Sequence, residues 1–140
     1  MQMGSGRTGS IVRRNAGMAR VLFVDDDQDT LEMFKKCVEL FGHQAITAHT
    51  PAEALQVADE QELDVVFVDL YLCESNGLDV VGELRKRVNT SRIPVYVLSA
   101  GSEYELAGKL ERSGANAFMQ KPIRLQSLLN TISLSMGAAF

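Results

Sequence analysis

Short apolar runs alternate along the chain with longer stretches in which apolar residues recur every three or four positions. The short runs have the continuous apolarity of strands buried on both faces of a parallel sheet. The longer stretches have the spacing of one buried helix face. The pattern predicts five strands, each followed by a helix. The strands fall at residues 20–24, 44–48, 64–69, 93–98 and 115–119.

The helices are predicted from apolar stripes and from local start and stop signals. Thr50, Pro51 and Glu53 give the second helix an N-cap, a proline at its first position and a capping-box glutamate, so it should run to about Glu60. Residues 103–111 form a weaker fourth helix that contains Gly108. The stripes of the first, third and fifth helices are Leu31, Phe34, Val38 and Phe41; Leu78, Val81, Leu84 and Val88; and Leu125, Leu128, Leu129, Ile132 and Met136.

Alternating strands and helices within one domain predict a parallel sheet with helices on both faces. Ligands of such folds bind beyond the carboxyl ends of the strands. Each of four predicted strands ends in, or leads to, a residue that can carry chemistry. These residues are Asp25, Asp26 and Asp27 after the first strand, Asp69 on the third, Ser99 after the fourth, and Lys121 after the fifth.

Carboxylates gathered at one sheet edge repel one another, and a hard divalent cation removes that conflict. Mg²⁺ suits the site because it binds through a few carboxylates and keeps places for water and phosphate oxygens. A metal beside an ammonium and a hydroxyl is typical of phosphoryl transfer. With no activated Cys or His pair in view, the nucleophile is predicted to be the Asp69 carboxylate, which would form an acyl phosphate.

The order Val24-Asp25-Asp26, Val68-Asp69, Leu98-Ser99-Ala100 and Lys121-Pro122 resembles that of bacterial two-component response-regulator receiver domains, which are CheY-like. The resemblance implies a flavodoxin-like (βα)5 three-layer sandwich with strand order 2-1-3-4-5. It assigns residues 18–140 to the receiver domain. Residues 1–17 are then expected to be a disordered leader or a cloning remnant, although Gly4, Gly6 and Gly9 match the spacing of a dinucleotide-binding loop.

The resemblance also implies a function and a metal site. Asp69 would accept phosphate from a histidine kinase or a histidine phosphotransfer protein. Asp26 would bind Mg²⁺ directly, Asp25 through water, and the backbone carbonyl of Tyr71 would complete the protein ligands. The chain would therefore be a signalling phosphoacceptor with slow autodephosphorylation, and not an enzyme with turnover.

Further residues are implied to act in the response to phosphorylation. Lys121 would pair with the phosphoryl group, Ser99 would reorient toward it, and Phe118 would swing inward. The Lys121–Pro122 peptide bond is expected to be cis. The fourth helix, fifth strand and fifth helix would form the surface that changes and binds an unknown downstream protein.

Two departures from the family pattern concern the segment after Asp69. Receiver domains commonly carry Met-Pro where this chain has Leu72-Cys73, which places a thiol near the site. Cys73 is expected to be an inert loop residue, with a redox sensor as the minor alternative. Tyr71 and Gly101 would flank the path of water to the acyl phosphate, which predicts slow hydrolysis.

Composition and charge restrict the functions further. The chain has 140 residues with 18 acidic and 14 basic side chains, and residues 18–140 alone carry a net charge of −7. That charge argues against nucleic-acid binding, and the absence of a long apolar run argues against a membrane span. Cys37 and Cys73 have neither zinc spacing nor a disulfide framework, and no signal peptide is recognisable, so the cytoplasm is the expected compartment.

Other interpretations of the acidic residues fit less well. A calcium loop beginning at Asp25 fails because Thr30 and Lys36 occupy the positions of its glycine and bidentate glutamate. A small Mg²⁺-dependent phosphatase with an aspartate nucleophile remains the alternative from another class. The length favours a single-domain regulator, with a receiver excised from a larger hybrid protein as a further alternative.

Overall fold

The chain folds into a parallel sheet with helices on both faces. The computed structural model describes residues 17–101, 108–109 and 111–137. The strands are β1 (Arg20–Val24), β2 (Gln44–Ala48), β3 (Val65–Asp69), β4 (Tyr71–Leu72), β5 (Ser75–Asn76), β6 (Val95–Ser99) and β7 (Ala117–Gln120). Within the described residues the helices are α1 (Gln28–Leu40), α2 (Pro51–Glu60), α3 (Gly77–Leu84) and α4 (Leu125–Ser135), and residues 108–109 and 111–113 are also helical.

The main sheet has the order β2-β1-β3-β6-β7, with every neighbouring pair parallel. The strands β4 and β5 form a separate antiparallel pair, so the five strands of the main sheet follow the predicted order 2-1-3-4-5. This confirms the predicted flavodoxin-like sandwich. That small hairpin replaces the loop expected after the third strand. Most of the predicted helix at 103–111 and the glycine pattern near the N-terminus lie outside the described residues.

Alternate residues of the central strands pack on opposite faces of the sheet. On one face, residues such as Leu22 and Val66 form a core with α2 and α3. On the other face, residues such as Val21 and Phe67 form a core with α1 and α4. Aromatic rings extend the second core in a continuous stack, Phe34 on Phe23, Phe23 on Phe67 and Phe67 on Tyr96, with centroids 4.9, 5.4 and 5.6 Å apart.

Three residues of the predicted helix stripes are exposed, and one of them, Leu125, is the first residue of α4 and is 39% exposed. Phe41 is the C-cap of α1 and is 53% exposed, because the helix ends before its side chain can turn toward the core. Val88 is 84% exposed, since α3 ends at Leu84 and the chain leaves the helical path. The apolar periodicity continued beyond both helices, and their capping geometry decided where they end.

Arg85 connects the end of α3 to the segment that leads into β7. Its guanidinium donates to the carbonyl oxygens of Gly114 (3.0 Å), Thr90 (2.9 Å) and Ile93 (2.6 Å), and to Asn116 Oδ1 (2.9 Å). Burial lowers the pKa of Arg85, although arginine stays protonated at neutral pH. The fork of donors therefore fixes the start of β7 relative to α3.

None of the helices in the described part of the chain combines the length and apolarity that crossing a bilayer requires.

Candidate functional site

Three carboxylates meet at the carboxyl edge of the sheet. Asp25 follows β1 and donates its backbone N–H to the carbonyl of Ala48 (3.1 Å). Asp69 is the last residue of β3 and is paired in register with Leu98 of β6. One carboxylate oxygen from each of Asp25, Asp26 and Asp69 lies within 4.8 Å of the others. The parallel topology thus brings together the acidic residues that the sequence placed at two strand ends.

Asp25 has one satisfied and one unsatisfied carboxylate oxygen. Its Oδ1 accepts a hydrogen bond from the backbone N–H of Asp27 at 2.9 Å. Its Oδ2 is buried without a hydrogen-bond partner, and the Lys121 ammonium lies 3.8 Å away. Burial is the largest cause that raises the pKa of Asp25, and the charge of Asp69 raises it further. Both effects disfavour the charged form of this carboxyl.

Lys121 places a positive charge against the central carboxylate. Its Nζ lies 3.1 Å from Asp69 Oδ1. The backbone N–H of Lys121 donates to the carbonyl of Ser99 at 2.8 Å, which ties the residue to the end of β6. The Lys121–Pro122 bond is cis, as expected. Asp69 is only 7% exposed and the Lys121 side chain is 31% exposed, so the carboxylate is the desolvated member of this ion pair.

The residues of the acidic cluster fit a hard divalent cation. Asp25 and Asp69 are buried carboxylates, and Asp26 is exposed beside them. The single ammonium of Lys121 reaches Asp69 closely and leaves Asp25 Oδ2 without a hydrogen bond. An oxygen-only donor set with an unsatisfied buried carboxylate oxygen matches what Mg²⁺ prefers.

Asp27, the third aspartate of the run, is the N-cap of α1. It accepts hydrogen bonds from the Asp29 backbone N–H (3.3 Å) and from the Thr30 hydroxyl (2.5 Å). The bond from Thr30 is the largest cause that lowers the pKa of Asp27. The run of three acids is therefore divided between a helix cap and the cluster.

The structure places the other predicted site residues around the cluster. Ser99 ends β6 and is 2% exposed, with its Oγ accepting from the Gly101 N–H at 3.0 Å. Phe118 lies in β7 opposite Val97 and packs, half-buried, against the core under α2 and α3. Tyr71 lies in the β4–β5 hairpin with its side chain 66% exposed. Their roles in switching and metal binding remain predictions.

Gly77 is a positioning residue that the sequence analysis did not single out. It begins α3 and donates its N–H to the carbonyl of Leu70 at 2.7 Å. A Cβ at this position would lie 2.2 Å from the backbone carbonyl oxygen of Asp69. Only glycine lets α3 start so close to the residue that ends β3. The Asn76-Gly77 pair was a visible turn signal, but the close approach depends on tertiary contact.

A model of the response regulator receiver domain family matches residues 21–133. Protein PilH of Pseudomonas aeruginosa is 30% identical over 116 residues, covering 83% of this chain and 96% of PilH. The chemotaxis protein CheY4 of Vibrio cholerae superposes with a TM-score of 0.80 at 26% identity, covering 84% of this chain and 98% of CheY4.

A third comparison shows similarity in fold alone. The receiver domain of the sensor histidine kinase PA1611 of Pseudomonas aeruginosa has a TM-score of 0.77 at 20% identity, covering 85% of this chain and 98% of that domain. That structure is described as having a magnesium ion coordinated in its active-site cleft.

The close approach at Gly77 leads to a testable difference between two glycines of α3. Gly77→Ala should lower the free energy of unfolding by about 1–3 kcal/mol, since the new methyl group overlaps backbone that cannot move cheaply. Gly82→Ala is the matched control. Apart from the backbone of α3 itself, no heavy atom of the described residues lies within 4 Å of its added Cβ, so the higher helix propensity of alanine should raise stability by up to about 1 kcal/mol. Urea unfolding measures both, and equal stability of the two variants would refute the assignment.

Proposed function

The chain belongs to the response regulator receiver domain family, and we propose that its Asp69 accepts a phosphoryl group from a phosphohistidine. The donor would be a histidine kinase or a histidine phosphotransfer protein. The observation that supports this proposal most strongly is the Lys121 ammonium, 3.1 Å from a nearly buried Asp69 carboxylate that also borders Asp25. A nucleophilic carboxylate beside a fixed cation is what acyl phosphate formation requires.

In the proposed reaction, an Asp69 carboxylate oxygen attacks the phosphorus of the phosphohistidine. The new P–O bond forms as the P–N bond breaks, and the imidazole nitrogen keeps the electron pair and takes up a proton. Lys121 would hold its ammonium against the phosphoryl oxygens as charge develops on them. The Ser99 hydroxyl, at the end of the neighbouring strand, would donate one further hydrogen bond after leaving its contact with Gly101.

Asp25, Asp26, Asp69 and the backbone carbonyl of Tyr71 are the residues that would hold Mg²⁺. When bound, the ion supplies positive charge that neutralises the carboxylates and the phosphoryl oxygens. The unsatisfied buried Oδ2 of Asp25 and the closeness of the three carboxylates support this assignment. The magnesium described in the PA1611 receiver domain agrees with it.

The proposed output is a change of the surface formed by β7, α4 and the helical residues 108–109 and 111–113. The backbone of Lys121 is bonded to Ser99, and Phe118 lies on the same strand, β7, that leads to Lys121. A shift of Ser99 toward a phosphoryl group would therefore reach β7 directly. We infer that Ser99 and Phe118 couple phosphorylation to the binding of a downstream protein.

Labelling with phosphoramidate or acetyl phosphate in the presence of Mg²⁺ tests the function. The intact chain should gain one phosphoryl group on Asp69, detected by mass spectrometry, and chelation of Mg²⁺ should prevent the gain. Asp69→Asn should not label. Asp59→Asn, which alters an exposed acid at the far end of α2, should label like the unaltered chain.

The same experiment separates a signalling phosphoacceptor from a small phosphatase. A phosphoryl group that persists on Asp69 after the donor is removed supports the proposal. Continuous release of inorganic phosphate at many equivalents per chain would identify a phosphatase. Labelling of Asp69→Asn at the unaltered rate would refute the assignment of the phosphoacceptor.

The exposed ring of Tyr71 generates a prediction about the lifetime of the phosphoryl group. Tyr71→Asn should hydrolyse its acyl phosphate faster, by roughly tenfold or ~1.4 kcal/mol in barrier, because a small amide opens the path of water. Tyr71→Phe keeps the ring and should hydrolyse at the unaltered rate. Decay of the labelled chains after removal of the donor gives both rates, and an unchanged rate in Tyr71→Asn would count against the proposed role.

A further inference from the structure

A groove of about 630 Å³ lies beside the acidic cluster, on the face of the sheet that α2 and α3 cover. Its walls are the first turns of α2 and α3 and the β4–β5 hairpin. The hairpin begins two residues after Asp69, so one wall of the groove is continuous with the segment that follows the proposed phosphoacceptor. The groove itself contains none of the carboxylates of the cluster.

The groove combines an apolar floor with an acidic rim. Leu55, Leu72 and Val80 line its floor, and they belong to or pack on the core beneath α2 and α3. The exposed ring of Tyr71 borders it. Apolar surface framed by charged side chains is typical of a site that receives one apolar anchor from a partner.

Two of the three acidic side chains of the rim have no ion-pair partner among the described residues. Glu74, Asp79 and Glu83 line the groove, and none of the described residues that line it is Lys, Arg or His. Glu83 forms ion pairs with Lys86 (3.0 Å) and Arg87 (3.5 Å). Glu74 and Asp79 form no ion pair within residues 17–101, 108–109 and 111–137. Two free negative charges thus stand over an apolar floor.

We propose that this groove binds a segment of a partner protein in which an aliphatic side chain is flanked by Lys or Arg. The aliphatic side chain would contact Leu55, Leu72 and Val80, and its burial would supply the affinity. The basic side chains would pair with Glu74 and Asp79, which would orient the segment and exclude acidic competitors. An acidic or phosphorylated segment would meet uncompensated like charge at the same rim.

The proposed surface differs from the one formed by β7, α4 and residues 108–109 and 111–113, and it would be occupied whether or not Asp69 carries phosphate. An occupant would contact the hairpin, whose neighbours include the Gly77–Leu70 hydrogen bond beside Asp69. The groove is lined by none of the cluster carboxylates, so binding in it stands independently of the phosphoacceptor assignment, and Asp69→Asn should still bind.

A random linear peptide library selected on the immobilised full chain tests the proposal. Selected peptides should carry Lys or Arg next to Leu, Ile, Val or Met. When one such peptide is added to isotope-labelled chain, NMR shifts should concentrate at the methyl groups of Leu55, Leu72 and Val80 and at hairpin amides. Failure to select any peptide, or shifts centred on α1 or α4, would overturn the proposal.

Variants that remove negative charge from the groove rim test the proposal quantitatively, through their affinity for the selected peptide. Glu74→Gln combined with Asp79→Asn should weaken binding of the selected peptide by roughly tenfold. The matched control, Glu32→Gln combined with Asp29→Asn, removes the same charge from the exposed side of α1, away from the groove, and should bind like the unaltered chain. Equal affinity in both double variants would overturn the proposal. So would self-association of the free chain through these groove residues, since a second copy would then be the occupant.

Discussion

The fold depends on how it accommodates mutual repulsion among carboxylates at one edge of the sheet. Parallel strands β1 and β3 end side by side, so Asp25 and Asp69 are brought together by the same hydrogen bonding that stabilises the sheet. Both are almost fully buried. Lys121 satisfies Asp69 but leaves one oxygen of Asp25 without a hydrogen bond. The unsatisfied oxygen supports the proposal that a divalent cation binds here, and the proposed phosphoryl chemistry rests on the same cluster.

Contacts made at the two ends of α3 position both members of the Asp69–Lys121 pair. Gly77 lets α3 begin against the backbone of Asp69, and Arg85 at the other end of α3 binds the segment that enters β7. β7 then delivers Lys121 to the cluster. One helix thus connects the carboxylate and the ammonium, so local changes at α3 should be felt at the site.

The sequence predicted those parts of the molecule that local pattern determines. Continuous apolar runs located the strands, and Thr50 with Pro51 located the start of α2, because these signals act within a few residues. The predicted apolar stripes of the first and third helices reached Phe41 and Val88, which are exposed because α1 ends at Leu40 and α3 at Leu84. The hairpin and the cap formed by Asp27 are local features that the apolar pattern does not show. The close approach at Gly77 and the contacts of Arg85 join separate segments of the chain. No spacing rule in the sequence carries that information.

The stability of Asp25→Asn, with and without Mg²⁺, tests the central claim most directly. Asparagine keeps an oxygen to accept from the Asp27 N–H and removes the buried charge. In EDTA at neutral pH, urea unfolding should show the variant to be more stable than the unaltered chain by about 1 kcal/mol or more. Saturating Mg²⁺ should stabilise the unaltered chain and have much less effect on the variant. A variant that is less stable in EDTA, or an equal Mg²⁺ response in both proteins, would contradict the account.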